Sequence, residues 1–361
     1  MTALNEDRIK KIAEAFTGRD SDPVCVPFGN GHINDTFRVT INAPEAPLQE
    51  RIFVLQKINS TVFRNPVQVM ENVLGVTGWI RLRLEDAGLD PERRVLDVIR
   101  TLDGQPCYVD EDGECWRAYR FIRDAVCYER AETEDIFYQS AVAFGNFQHL
   151  LSDYPAQSLY ETIPDFHNTP VRLRQFLDTV ERDPVGRAES AAEEIGFLRS
   201  RGDLAGRLTQ AAAAGHLPLR VTHNDTKLNN VMIDRETGKW LCVIDLDTVM
   251  SGLSVTDFGD AIRFGASTAA EDEPDLDKVH FDRHLYEVYR QGYIEGCQGA
   301  LTDSELQMLP DGAMVITYEQ ALRFLADYLN GDVYYKTARP AHNLERARTQ
   351  IRLLSEMEQL L

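Results

Sequence analysis

A chain of 361 residues exceeds the usual single-domain size, so one large domain or two unequal ones are expected. Its apolar and charged shares, 43% and 27%, are ordinary for a globular protein, but 58 acidic against 38 basic residues leave a formal charge of −20. A field of that sign repels phosphate backbones and anionic membrane surfaces, which argues against nucleic acid or a membrane as partner; most of the charge reads as a solubility device.

The first segment, MTALNEDRIKKIAEAFTG (1–18), is charged, has the period of a helix and lacks the apolar core of a signal peptide. Strands are predicted at VCVPFG (24–29) and DTFRVTIN (35–42), flanking a Gly/Asn/His turn, and at RIFVLQKI (51–58) after a Pro-rich loop. Such runs, separated by turn residues, read as an antiparallel meander. A helix over 66–88 ends at Gly88, followed by short strands near 95–101 and 106–110 and the strand CWRAYRFI (115–122). Beyond about residue 123 the period changes. Segments 133–152, 170–182, 188–213, 280–298, 302–329 and 342–361 place apolar residues at three- and four-residue intervals, as helices do. Among them lies a β-like patch: LRVTHND (219–225), NVMID (230–234), a RETGK turn and WLCVIDLD (240–247). The acidic EDEPDLD (271–277) reads as a surface loop, and no run approaches the roughly 18 apolar residues of a membrane helix. Six scattered cysteines (Cys25, Cys107, Cys115, Cys127, Cys242, Cys297) form neither a CxxC pair nor a Cys/His cluster, so reduced thiols in a soluble, cytoplasmic protein are expected. The expected fold class is α+β in two lobes with a cleft between them. A small β-rich N-lobe (1–122) would precede a larger, mainly helical C-lobe (123–361).

The chemistry concentrates in His223-Asn224-Asp225-Thr226-Lys227-Leu228-Asn229-Asn230, an H-x-D-x-x-x-x-N run, with Asp245 fifteen residues further on at the end of an apolar strand. Kinases use this arrangement for phosphoryl transfer, and the full set is far more specific than HxD alone. Triphosphate oxygens need Mg²⁺, a hard cation that takes oxygen ligands; Asn230 offers a neutral carbonyl oxygen and Asp245 a carboxylate. Asp225, on the loop before them, is placed to accept the proton of an incoming hydroxyl. A loose transition state leaves positioning and charge neutralisation to do most of the work. His223 reads as structural, a backbone partner rather than a proton carrier. Lys227 is either a solvated lysine or a partner for the transferred phosphoryl group. The turn GNGHIND (29–35) is a weaker signal: Gly29 and Gly31 permit positive φ and close approach of amides to phosphates, but a Gly-Asn-Gly hairpin is also common punctuation.

The run VTHNDTKLNN…VIDLD followed by DFGDAIRFGAS (257–267) resembles the aminoglycoside phosphotransferase and choline-kinase superfamily. More closely, FGNGHINDTF, WRAYRFI, AFGNFQ, RVTHNDTKLNN, IDLDTVM, RFLADYL and NLERARTQIRL look like the N-acetylhexosamine 1-kinases, a likeness running from about residue 24 to 360. The resemblance implies a protein-kinase-like enzyme that uses MgATP to phosphorylate the anomeric hydroxyl of N-acetylglucosamine or N-acetylgalactosamine; a monomer is expected. It makes Asp225 the base and Asn230 and Asp245 the magnesium ligands. Gly29 and Gly31 would cover the phosphates, and the backbone of Arg120, Phe121 and Ile122 would meet the adenine edge. His32, Asp247, Arg323 and Tyr334 would contact the sugar. Read without the resemblance, Asp247 is equally a satisfied strand-end carboxylate, Arg323 a snorkelling helix residue and His32 a loop histidine. One departure from the general kinase pattern stands out. The third strand carries Gln56 where a lysine is expected; Lys57 lies beside it, but strand alternation sends the two side chains to opposite faces. No helix glutamate stands out as a partner for such a lysine; Glu71 is a weak candidate.

Overall fold

The structure, a computed structural model, describes residues 6–18, 21–29, 34–45 and 51–361. Two compact units share them. One comprises Met1–Val126, Leu159–Ile163 and Met232–Val249, the other Cys127–Ser158, Pro164–Val231 and Met250–Leu361.

The first unit is built on an antiparallel sheet. Strands β1 (Val24–Pro27), β2 (Asp35–Thr40), β3 (Ile52–Lys57), β4 (Val98–Ile99), β5 (Tyr108–Val109) and β6 (Cys115–Arg120) order as β1-β2-β3-β6-β4, with β5 also on β6. Alternation is clean: Phe37, Val39, Phe53 and Leu55 face inward, where they meet Trp116 and Ala118. Helix α1 (Glu6–Thr17) covers that layer with Ile9, Ile12, Ala13 and Phe16, the apolar stripe its period predicts. Helix α2 (Pro66–Asp86) starts at Asn65, whose side chain accepts the Gln68 N–H, and Pro66 fits its first turn. It ends short of Gly88, which takes a φ of +71°. Strand β7 (Ala125–Val126) pairs with β9 (Val231–Asp234), which lies beside β10 (Trp240–Val243) in a second small sheet.

The second unit is helical: α3 (Glu134–Leu150), α4 (Thr169–Arg182), α5 (Ala192–Ser200), α6 (Arg207–Ala213), α7 (Ser254–Gly265), α8 (Arg283–Cys297), α9 (Asp303–Gln307), α10 (Leu309–Leu329) and α11 (His342–Leu360). Two strands, β8 (Arg220–Thr222) and β11 (Met250–Gly252), pair antiparallel ahead of the catalytic run and of α7. Three departures from the sequence reading have physical causes. Segment 188–213 breaks at the 3₁₀ turn Gly202–Gly206, where two glycines weaken the helix. Segment 302–329 splits at Met308 because Pro310 cannot continue a helix from α9 and instead sits in the first turn of α10. The run 254–265, read only as a motif, is the helix α7. It lies so close to α10 that a Cβ on Gly259 would collide with the Gly312 backbone, and one on Gly312 with Val255.

Candidate active site

Strand β8 delivers the chain into His223-Asn224-Asp225, and two buried carboxylates on α7 fix the course of this loop. Asp257 accepts the backbone N–H of His223 and of Asn224, each at 2.8 Å, and the Gln148 amide at 3.2 Å. Its burial pushes its carboxyl pKa up even though these donors pull the other way. Asp260 accepts the Thr226 N–H at 3.1 Å and a forked contact from Arg263 at 3.0 and 3.1 Å. Burial works against that carboxylate, but Arg263 and Lys227 hold its pKa below the ordinary value. Asn224 takes a φ of +64°, a left-handed conformation that Asn adopts more readily than most non-glycine residues.

This frame presents Asp225. Lys227 Nζ lies 2.7 Å from one of its oxygens, and the Asn230 amide donates to the other at 3.2 Å and to the Asp225 carbonyl at 2.8 Å. Burial disfavours the Lys227 charge, but Asp225 and Asp260 outweigh it and raise the ammonium pKa. His223 is wholly buried, edge-on to Phe144 and Phe147, and its Nδ1 accepts the Asp225 N–H at 3.2 Å, the structural part that its position suggested. With the Asn230 nitrogen spent on Asp225, its amide oxygen is the atom left to meet a hard cation. Asp245, in the first unit, follows β10 at a φ of +60° and brings a carboxylate. Among the described residues no cluster of three or more His, Cys, Asp or Glu forms a metal site.

Beside the loop, the second unit gathers Phe166, His167, Arg172, Glu319, Arg323 and Tyr335. Arg323 donates to Gln320 at 3.2 Å and lies over the rings of Phe166 (5.5 Å) and Tyr335 (5.8 Å). Burial opposes its charge, but Tyr335 and Glu319 raise its pKa. Tyr334 stays 64% exposed, edge-on to Tyr335. Its backbone N–H, like those of Val333 and Tyr335, donates to Asp327, which sequence reasoning did not single out.

In the first unit, Gly29 takes a φ of +79°, whereas Gly31 and His32 lie outside the described residues. Phe28, just before the turn, packs edge-on against Phe121 at 5.7 Å; Arg120 bonds Asp97 and Ile122 is buried. The register pairs Gln56 with Arg117, and Arg117 donates twice to the Gln56 carbonyl, at 3.0 and 3.1 Å. The same guanidinium pairs with Asp247, whose other oxygen accepts from Asn34 at 2.7 Å. Arg117 is 1% exposed; burial opposes its charge, yet Asp247 and Asp245 push its pKa up. Lys57 points the opposite way, toward Asp35 and Glu114, and Glu71 meets the Tyr160 hydroxyl. The buried cation next to Gln56 is thus an arginine from the neighbouring strand, and Asp247 is its counter-ion.

A sequence profile of the phosphotransferase enzyme family APH matches residues 24–292. The chain belongs to that family. It is a small-molecule kinase, a phosphotransferase with an alcohol group as acceptor. Among solved structures it is similar to a microcompartment-associated aminopropanol kinase (16% identity, 98% of this chain and 97% of that one, TM-score 0.63). It is also similar to an amicoumacin kinase in complex with AMP-PNP, Ca²⁺ and Ami (15%, 99% and 98%, TM-score 0.61). A third is the choline kinase of Cryptosporidium parvum Iowa II (15%, 97% and 91%, TM-score 0.55). These likenesses show the expected protein-kinase-like fold, an antiparallel-sheet N-lobe and a helical C-lobe. No described helix is long and apolar enough to cross a membrane, and all six cysteines are free thiols.

Proposed function

We propose that this kinase uses ATP to phosphorylate the anomeric hydroxyl of an N-acetylhexosamine, giving the sugar 1-phosphate. Bound Mg²⁺, held by Asn230 and Asp245, would neutralise the triphosphate oxygens. Asp225 takes the proton of the acceptor hydroxyl, and its hydrogen bond from Asn230 fixes the carboxylate's orientation. Lys227, charged at neutral pH, neutralises the developing phosphoryl charge beside it. Gly29 and Gly31 cover the phosphates, and the Arg120–Ile122 backbone meets the adenine. Arg323, Tyr334, His32 and Asp247 receive the sugar; of these Asp247 acts through its pairing with Arg117.

The observation that carries the choice of acceptor is the sign of charge around Phe166. Arg172 donates to its carbonyl and Arg323 lies over its ring, close enough for Arg323 to work against the Arg172 charge, with Lys227 on the catalytic loop. Aromatic rings and cationic donors suit a neutral sugar with several hydroxyls, whereas an amine would be repelled. The second reading is an amino alcohol, choline, homoserine or aminoglycoside as acceptor, favoured by the net charge of −20 and by the amines that the structural relatives are named for. Intact Asp225, Asn230 and Asp245 speak against a pseudokinase. The deciding experiment is a coupled ADP-release assay with N-acetylglucosamine, N-acetylgalactosamine, choline, homoserine and kanamycin. Turnover confined to the two sugars upholds the proposal; preference for any amine replaces it with the second reading. The cytoplasm as location, suggested by the reduced thiols, and a monomeric state belong to the same proposal.

A further inference from the structure

His167 stands between two acceptors. Its Nδ1 lies 2.8 Å from the Glu319 carboxylate, and its Nε2 lies 3.3 Å from the backbone carbonyl of Asn224. Neither partner has a proton to give, since a carbonyl oxygen only accepts and Glu319 is ionised: burial disfavours its charge, but His167 and Arg323 hold its pKa below the ordinary value. A neutral imidazole, with one N–H, satisfies only one of the two contacts; the imidazolium satisfies both. The groups facing the ring are Glu319 and Arg323 from α10, Asp257 and Asp260 from α7, and Phe166 beside it. Burial and Arg323 oppose a charged ring, while Glu319 and Asp260 favour it, and the balance raises the imidazole pKa. Glu319 is itself fixed by the Thr169 hydroxyl at 2.7 Å.

What the second contact holds is the turn that aims the base. Asn224 sits in the left-handed region and is gripped on both sides: a carboxylate accepts its N–H, and its carbonyl accepts from His167. Asp225 is the next residue. We propose that His167 is a positioning residue whose doubly protonated ring ties Glu319 to the Asn224 carbonyl and so keeps Asp225 aimed at the acceptor hydroxyl. The proposal rests on Asp225 as the base and not on which acceptor is used. Because the ring's pKa is raised, the tie is complete at low pH and is lost as pH rises through the folded-state value. Turnover should therefore decline on the alkaline side through loss of this contact.

The test has two parts, and the first needs no acceptor. Ring-nitrogen NMR of the full-length protein should show both His167 nitrogens protonated at neutral pH, and the amides of Asn224 and Asp225 should titrate with the ring. A ring that is neutral at neutral pH overturns the proposal, even if the protein proves an active sugar kinase. In the second part, kcat is followed against pH with whichever acceptor is turned over. His167→Gln keeps one donor, so it should fold, lower kcat by about tenfold, leave the ATP KM in place and lose the alkaline decline. Glu319→Gln should move that decline to lower pH. A His167→Gln enzyme whose pH profile superimposes on the parent's, whatever its melting temperature, would make His167 a packing residue only. An inactive acceptor panel with a titrating imidazolium would instead retire the sugar assignment and leave His167 standing.

Discussion

The helical and sheet units organise their buried polar groups with opposite charges. In the helical unit two acids, Asp257 and Asp260, take main-chain N–H groups of residues 223, 224 and 226, so the path of the catalytic loop is fixed whatever side chains it displays. In the sheet unit one cation, Arg117, gathers side-chain acceptors, Gln56 and Asp247, with Asn34 and Thr36 completing the set. Backbone-directed bonds need one partner residue each, whereas the arginine network needs several side chains at once. The first arrangement is robust to sequence change in the loop; the second fails if any member is lost. The cation comes from β6, across the register pair Gln56–Arg117, and its charge is compensated by the second aspartate of IDLD.

Substitutions at the two centres should fail differently. The largest effect is expected at the point the helical network exists to present. Asp225→Asn is isosteric and should keep the fold and nucleotide binding while turnover falls roughly 10²–10⁴-fold, the range for a lost general base. Retention of more than about a tenth of the parent rate would show that another group accepts the proton. Next comes the sheet unit. Arg117→Met strands the Asp247 carboxylate in a buried position, which should cost about 3–5 kcal/mol in urea unfolding, while Arg117→Met with Asp247→Leu should recover much of it. A single substitution as mild as a surface change, within about 0.5 kcal/mol, would mean the network contributes little to folding.

Much of this was legible in the sequence, and the remainder was hidden for physical reasons. Strand alternation in β2 and β3 and the amphipathic stripe of α1 are local patterns, and the spacing from Asp225 to Asn230 and Asp245 is a short-range motif. Helix α7 escaped because Gly259 and Gly265 lower its helix propensity, although Val255, Phe258, Ala261 and Ile262 recur at helical spacing. Arg117 was visible only as a letter in WRAYRFI; its function as a counter-charge depends on a partner 130 residues away. His167 and Glu319 are separated by 152 residues, and no pattern of either segment announces their contact. Asp257 and Asp260 lay inside a motif that pointed to a family without saying what its acids hold.

The helical frame itself is tested by Asp257→Asn. The amide keeps an acceptor for one of the two loop N–H groups but turns its own donors toward the other, leaving a buried clash of donors worth about 1–3 kcal/mol. Hydrogen exchange at His223 and Asn224 should accelerate beyond the global change, and turnover should fall with it. Exchange that rises uniformly across the protein would place Asp257 in general packing rather than in loop control.

The smallest effect is expected at Arg323, the residue proposed to meet the acceptor, rather than where the helical unit holds the loop. Arg323 has a neutral partner, Gln320, and two aromatic faces, so its removal leaves no buried carboxylate uncompensated: Glu319 keeps His167 and Thr169. Arg323→Ala should therefore cost little stability. A sugar hydroxyl that loses its donor, by contrast, should cost about tenfold in kcat/KM for the acceptor, within the range for an unmet buried hydrogen bond. The ATP KM should stay where it is, which separates this defect from that of Arg117→Met, where unfolding affects both substrates together. Arg323→Lys sharpens the point further, because a lysine keeps the charge without the planar fork or the stacking on Phe166 and Tyr335. If the lysine variant restores acceptor use in full, charge alone is what the site supplies. If it stays as weak as the alanine variant, the guanidinium's geometry is what selects a polyhydroxyl acceptor. Equal losses toward ATP and acceptor, with a lowered melting temperature, would move Arg323 from the acceptor site to the scaffold.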